Sequence, residues 1–282
     1  MSSANEPSPQ DPNWFAVWQQ LVEERSARRG VHRPPPEQDP WHNRAAAFQK
    51  TVENRWKNPD SSRECILAHV HPGATVLDIG AGSGAWSCLL AEHVRQVTAV
   101  EASAAMLCRL RSRAANAPEK NISIMEGRWP DVSPPPHDFS LCANVIYSIP
   151  DLEAFVRKTV AVTRATCFFI IRVIPPDSLL AEAAQLVFGH IHYRPHFGIF
   201  YNALQQMGIF ANVLMEDTGL RFPWQSPSLE NAVEKMKHQL CIDNDQQYDH
   251  LLLALAERSL KRQNGLYRWP PDIRSALVYW SA

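Results

Sequence analysis

The chain has 282 residues, 45% of them hydrophobic and 20% charged, with a formal net charge of -1; this is the balance of a folded globular protein rather than a disordered or fibrous one. Near-neutral charge and the lack of any long basic run argue against a dedicated nucleic-acid binder. The opening MSSANEPSPQDPNW has no signal-peptide layout, no apolar run approaches the roughly 20 residues that cross a bilayer, and six cysteines occur without a C-x-x-C pair, so the expectation is a reducing, cytoplasmic setting without membrane, disulfide framework or zinc site.

Asn13 is placed to cap a helix from Trp14 to about Ala27, with Trp14, Val17, Trp18 and Leu21 on one stripe. RGVHRPPPEQDP breaks it as a stiff connector, and a second helix is expected from about Pro40 through WHNRAAAFQKTVENRW. After Gly73 strands and helices alternate: TVLDIG, then a helix through GAWSCLLAEHV; QVTAVEAS, then AAMLCRLRSRAAN; ISIMEG and the loop RWPDVSPPPH; FSLCANVIYSI, then DLEAFVRKTVAVT; and the fully apolar ATCFFIIRVI. Such alternation implies βαβ units and a parallel sheet covered on both faces. Beyond Pro175 the spacing predicts helices in DSLLAEAAQLVFGHI, IFYNALQQMG, SLENAVEKMKHQL and QYDHLLLALAERSLKRQ, and strands in ANVLMEDTG and ALVYWSA.

VLDIGAGSGAWS carries Gly80, Gly82 and Gly84 directly behind an apolar strand. A glycine turn between a parallel strand and its helix lets a ligand approach the backbone beside the positive helix N-terminus. Asp78 precedes the turn and is expected to face it, because an acid there is costly to bury alone. Glu101 closes the second strand, where a carboxylate can accept both hydroxyls of a ribose. Asn144 closes the fourth. Packing alone does not call for polar groups at three such ends.

These residues resemble class I S-adenosylmethionine-dependent methyltransferases. VLDIGAGSG is similar to their D-x-G-x-G-x-G motif, VTAVEAS to their second motif, and MEGRW and SLCANVIYSIPD follow in the expected order, over about Val76 to Arg172. The resemblance implies a Rossmann-like, mostly parallel α/β sheet with helices on both faces. Residues 1–60 would be an N-terminal helical extension or lid, and 61–282 the methyltransferase domain with helical insertions at about 176–200 and 224–265. It implies that Asp78 and the backbone of Gly80, Ala81 and Gly82 hold the methionine part of S-adenosylmethionine, Glu101 the ribose, and Ala102 and Met106 the adenine surroundings, with Asn144 on the same edge. Arg128 stands where many members carry an acid for the adenine amino group, so backbone groups of Gly127, Arg128 and Trp129, with stacking on Trp129, are expected to replace it. GAGSGA also satisfies the G-x-G-x-x-A of NAD enzymes, but Asp78 would repel a pyrophosphate and attract a sulfonium.

No acceptor motif is recognisable, which leaves a small-molecule methyl acceptor as the expected partner and a non-catalytic S-adenosylmethionine-binding sensor or partner subunit as the alternative. Oligomeric state stays open, a homodimer being compatible. GHIHYRPHFGIFY gathers His190, His192, Tyr193, His196 and Tyr201. With Tyr147 after the fourth strand, they are the candidate acceptor wall, and Tyr147, His192 and His196 the candidate catalytic groups. Aromatic hinge packing, or a metal held by the three histidines without an acidic partner, are the other readings of this stretch.

Overall fold

The protein is described by a computed structural model over residues 12–30, 39, 41–216, 224–270 and 274–282. The apolar runs become strands β1 (Thr75–Ile79), β2 (Gln96–Glu101), β3 (Ile122–Glu126), β4 (His137–Ala143), β5 (Thr163–Val173), β6 (Asn212–Met215), β7 (Gln225–Ser226), β8 (Lys261–Gln263), β9 (Leu266–Arg268) and β10 (Arg274–Ser281). Seven of them form one sheet in the order β3-β2-β1-β4-β5-β10-β6, and β7, β9 and β8 form a small second sheet. The pairs from β3 to β5 are parallel, whereas β10 runs antiparallel to both β5 and β6. An all-parallel dinucleotide-binding sheet in the order 3-2-1-4-5-6 has no such reversed strand between its fifth and sixth, so the topology departs from the NAD-enzyme alternative.

The helices are α1 (Trp14–Gly30), α2 (Ala45–Trp56), α3 (Ser61–His69), α4 (Ala85–Ala91), α5 (Ala104–Asn116), α6 (Leu152–Ala161), α7 (Leu179–Phe188), α8 (Phe197–Gln206), α9 (Leu229–Leu240) and α10 (Asp249–Ser259). Side-chain oxygens close their first turns where the sequence places short polar residues. Asn13 accepts from the Ala16 N–H, Asp60 from Arg63, Ser103 from Met106 and Asp151 from Ala154; such a cap is worth about 0.5–2 kcal/mol.

Strand β5 explains why its sequence is apolar throughout. Successive side chains point to opposite faces, and both faces are covered. Cys167, Phe169 and Ile171 enter a core with Trp18 of α1, Phe155 of α6 and Phe200 of α8. Phe168 and Ile170 enter another with Ile66 of α3 and Leu90 of α4. Truncating a fully buried ring such as Phe155 to alanine costs about 3–5 kcal/mol. A third core joins α7, α9 and α10 through Leu180, Met236 and Leu252.

The N-terminal segment is divided between these layers. α1 is built into the first core, with the Trp18 indole N–H donating to the Ile149 carbonyl at 2.8 Å. α2 lies against α4 and α5, through an edge-on Trp56–Trp86 contact, an Arg109–Gln49 hydrogen bond and an Arg113–Glu53 ion pair of 2.8 Å.

Several elements differ from expectation for local reasons. The fourth strand stops at Ala143, because Asn144 adopts a positive φ of 61° and Ile146–Ser148 coil into a 3-10 turn. Residues 41–44 are turn rather than helix. α10 ends at Ser259, and Lys261–Gln263 pair with β9 as a hairpin instead of continuing it. α3, capped by Asp60, is a helix that the apolar spacing does not signal. Among the described residues no helix is long and apolar enough to cross a membrane.

Candidate functional site

The carboxyl ends of β1, β2 and β4 carry Asp78, Glu101 and Asn144, as the strand spacing predicts. The turn after β1 passes through Gly80 at φ 69° and Gly82 at φ 57°. At Gly80 a Cβ would fall 2.5 Å from Val145 Cγ2, so the chain approaches the loop after β4 too closely for any side chain. At Gly82 a Cβ would meet nothing nearer than the Gly80 carbonyl at 4.0 Å. That open ground over a half-buried backbone is the shape a ligand lying on the loop requires.

Glu101 is 9% exposed and ties two loops together. One oxygen accepts from the Gly82 N–H at 2.7 Å, and the other from the N–H groups of Ala102 at 2.9 Å and Ser103 at 2.8 Å. Three of the carboxylate's four accepting positions are thus used, and the fourth, on the oxygen that accepts from Gly82, is left for a further donor; the group is structural as well as a candidate ligand contact. Asp78, 2% exposed, accepts a 2.5 Å hydrogen bond from the Ser87 hydroxyl in α4. It therefore grips the first turn of α4 at the end of the strand that leads into the glycine loop. Burial, reinforced by the Glu101 charge, pushes its carboxyl up to about 7 against the help of Ser87.

The adenine corner differs from expectation. Trp129 is not available for stacking: it is buried in the core edge-on to Phe155, donates its indole N–H to the Phe155 carbonyl at 3.4 Å, and lies 5.2 Å from the Lys158 ammonium. Arg128 is exposed, and Gly127 is half-buried with its N–H on the Glu101 carbonyl. Ala102 is exposed at the mouth and Met106 buried behind it. Asp39, unnoticed in the sequence, docks here. Its carboxylate accepts from the Ser103 hydroxyl at 2.7 Å and the Ala105 N–H at 2.8 Å. Those bonds, together with that from Trp41, hold it below its ordinary value despite partial desolvation. The signal was weak, since a lone acid after three prolines reads as a linker.

After β4, the Tyr147 hydroxyl donates to Asn144 Oδ1 at 3.0 Å and accepts from the Arg172 N–H at 2.7 Å. That pins the loop after β4 to the end of β5. Burial pushes the Tyr147 phenol up, with Arg172 and Arg194 opposing. The Arg172 and Arg194 guanidinium carbons lie 5.8 and 5.7 Å from its ring centre. The 190–201 stretch thus reaches this end of the sheet, but through Arg194.

Its other members divide. His190 is exposed and stacks on Phe188. Tyr193 is fully buried in the α7–α9–α10 core, which corrects its assignment to an acceptor wall. Tyr201 packs on the first core and donates to the Ala211 carbonyl at 3.0 Å, a structural bond. His196 caps α8, its Nδ1 accepting from the Gly198 N–H at 3.2 Å. Nε2 therefore carries the proton and donates to His192 Nδ1 at 3.2 Å. Burial lowers both imidazoles, His196 to about 4 with help from His192 and Arg194, and His192 with help from His190. Among the described residues no three His, Cys, Asp or Glu side chains form a metal-holding group.

Residues 76–166 match the profile described as a methyltransferase domain. Among solved structures, the chain aligns with the YcgJ protein of Bacillus subtilis at 14% identity, over 78% of this chain and 97% of that one, TM-score 0.52. A putative methyltransferase from Bacillus halodurans aligns at 13% identity over the same shares, TM-score 0.53. A S-adenosylmethionine-dependent methyltransferase from Thiobacillus denitrificans, solved with S-adenosyl-L-homocysteine, aligns at 12% identity over 91% and 97%, TM-score 0.48. None of the curated proteins compared matches the chain significantly in sequence.

Proposed function

We propose that this chain is a class I S-adenosylmethionine-dependent methyltransferase that methylates a nucleophilic atom of a small molecule entering over the carboxyl ends of β4 and β5. The observation that carries the reading is the pairing of Gly82, open where a side chain would stand, with Glu101, pre-oriented by three N–H groups beside it. Those features fit a nucleoside lying along the loop. When bound, S-adenosylmethionine would supply an electrophilic methyl carbon on a sulfonium, a leaving group that keeps the C–S bonding pair as the acceptor's lone pair makes the new bond.

The chain's own task is then alignment, which in good intramolecular models supplies about 7–11 kcal/mol of acceleration. The glycine loop and Glu101 fix the donor. Asn144 and Tyr147, locked to Arg172, form a rigid floor on the acceptor side. The His192–His196 pair is neutral at pH 7, and in the tautomer that the Gly198 bond to His196 implies, the His192 Nδ1 lone pair is engaged. His192 takes a proton from an amine or hydroxyl only once that contact opens, whereas a thiolate or carbanion needs no base.

Incubating the protein with S-adenosylmethionine labelled in the methyl group and a small-molecule extract tests the proposal. Label should appear in one low-molecular-weight product. Calorimetry should show binding of S-adenosylhomocysteine. Binding without any transferred label favours the sensor or partner-subunit alternative, and absence of binding removes the reading altogether.

A further inference from the structure

Three arginines from distant parts of the sequence come together: Arg172 from the end of β5 and Arg194 from the α7–α8 connection lie over the Tyr147 ring, and Arg25 from α1 is a neighbouring cation to both. Arg25 is 5% and Arg194 7% exposed, while Arg172 and Tyr147 are half-buried. A guanidinium keeps its charge in a protein, and a buried one is normally matched by a carboxylate. Here none is. Among the described residues no Asp or Glu pairs with any of the three.

What surrounds them instead is neutral or of the same sign. Arg25 and Arg194 each donate to Gln239 of α9, to its carbonyl at 3.2 Å and its side-chain oxygen at 3.4 Å. The Nε of Arg194 is buried with no partner. Burial, with Arg172 and Arg25 as neighbouring cations, holds Arg194 well below its ordinary value, and only Tyr193 and Tyr147 oppose them. Burial likewise lowers Arg25 to about 10. The ring of Tyr147 offsets part of this charge as a cation–π partner. The rest is a positive field in a desolvated place, aimed at the ends of β4 and β5.

We propose that Arg194 and Arg172, backed by Arg25, bind an oxyanionic group of the methyl acceptor, a carboxylate or a phosphate monoester, against the face of Tyr147. The inference rests on the methyltransferase reading above and deepens it by naming the acceptor's chemistry. Guanidinium forks match either anion with paired N–H donors, and the unpartnered Nε of Arg194 supplies one of them.

The test uses full-length protein saturated with S-adenosylhomocysteine, melted in the presence of benzoate, phenyl phosphate or benzamide. Benzoate or phenyl phosphate should raise the melting temperature by about 3 °C at ten times its dissociation constant, and the larger response identifies the anion class. Neutral benzamide should do nothing. Arg194→Met should abolish the response and Arg172→Gln should weaken it. Because Arg194→Met removes an unmatched buried cation, its melting temperature in oxyanion-free buffer should equal or exceed that of the native protein; a purely structural arginine would instead lose stability. S-adenosylhomocysteine affinity should stay within about twofold in both variants, against the tenfold loss expected if a charge-assisted contact to the cofactor were removed. Equal shifts with benzamide, no shift with either anion, or a tenfold loss of S-adenosylhomocysteine affinity, which would hand the arginines to the cofactor's carboxylate, each overturns the proposal. In the first two cases intact S-adenosylhomocysteine binding leaves the methyltransferase reading standing.

Discussion

At the carboxyl ends of β1 and β2 every charge is met from within the fold. Glu101 takes three backbone N–H groups, and Asp78 takes the Ser87 hydroxyl. At the ends of β4 and β5 the charges are of the opposite sign and are not met by acids: Arg194 and Arg25 lean on the neutral Gln239, and Arg172 faces the Tyr147 ring. The first region keeps its geometry before any ligand arrives. The second keeps a field that a ligand has to complete.

Four measurements bear on that contrast. Gly80→Ala should be the most damaging, because it combines a positive φ with a Cβ 2.5 Å from Val145. The left-handed conformation and the overpacking together should remove about 2–4 kcal/mol of stability, read by urea unfolding. Adding Val145→Ala should return the overpacking part only. Unchanged stability in the single variant would show that the turn is not rigid.

Glu101→Gln comes next. It should lower S-adenosylhomocysteine affinity at least tenfold by calorimetry and also cost about 1–3 kcal/mol in the ligand-free protein, since an amide nitrogen must face backbone N–H groups. Lost affinity with intact stability would mean that Glu101 serves only the ligand.

The third measurement is a pH series. Asp78 is raised from 3.8 to about 7 on folding, so the fold favours its neutral form. Its destabilising contribution is absent below pH 4, grows between pH 4 and 7, and is complete above 7. Asp78→Asn should therefore gain stability relative to the native protein as pH rises from 5 to 8, while binding the cationic cofactor more weakly. A difference in melting temperature that stays flat with pH would contradict this. The smallest effect is expected of His192→Gln. With its Nδ1 engaged by His196, turnover should fall by less than tenfold, against the 10²–10⁴ of a working general base; a larger fall would make the histidine pair part of the chemistry.

The two regions were also unequally legible in the sequence. Asp78, Gly80, Gly82 and Glu101 lie within one βαβ unit, where strand ends and the crossover bring them together whatever surrounds them. Their partners were harder to read, because Ser87 and the N–H groups of Ala102 and Ser103 depend on atomic registry. Trp129 was misjudged because an indole after a strand reads equally well as a ligand platform or as core, and only packing against Phe155 decides. The arginine cluster went unread because α1, β5 and the α7–α8 connection meet only in the tertiary structure. Each arginine nevertheless left a trace. Arg172 interrupts the apolar CFFIIRVI, Arg25 sits one heptad after Trp18 on the buried stripe, and Arg194 lies inside an aromatic run.

The reversed strand β10 has a consequence for biosynthesis. It is the last described strand in chain order, yet it lies between β5 and β6 and pairs with both. While residues 174–273 are being translated, β5 waits with an open edge made of Cys167, Phe168, Phe169, Ile170 and Ile171. Such a long apolar edge is the kind that pairs with neighbouring chains. The sheet can therefore be completed only after the α7–α8 connection that carries Arg194 and the helix α9 that carries Gln239 have been made. The acceptor side of the molecule is in this way synthesised before the strand that seals its foundation, and the nascent protein is most exposed to aggregation just before that strand emerges from the ribosome.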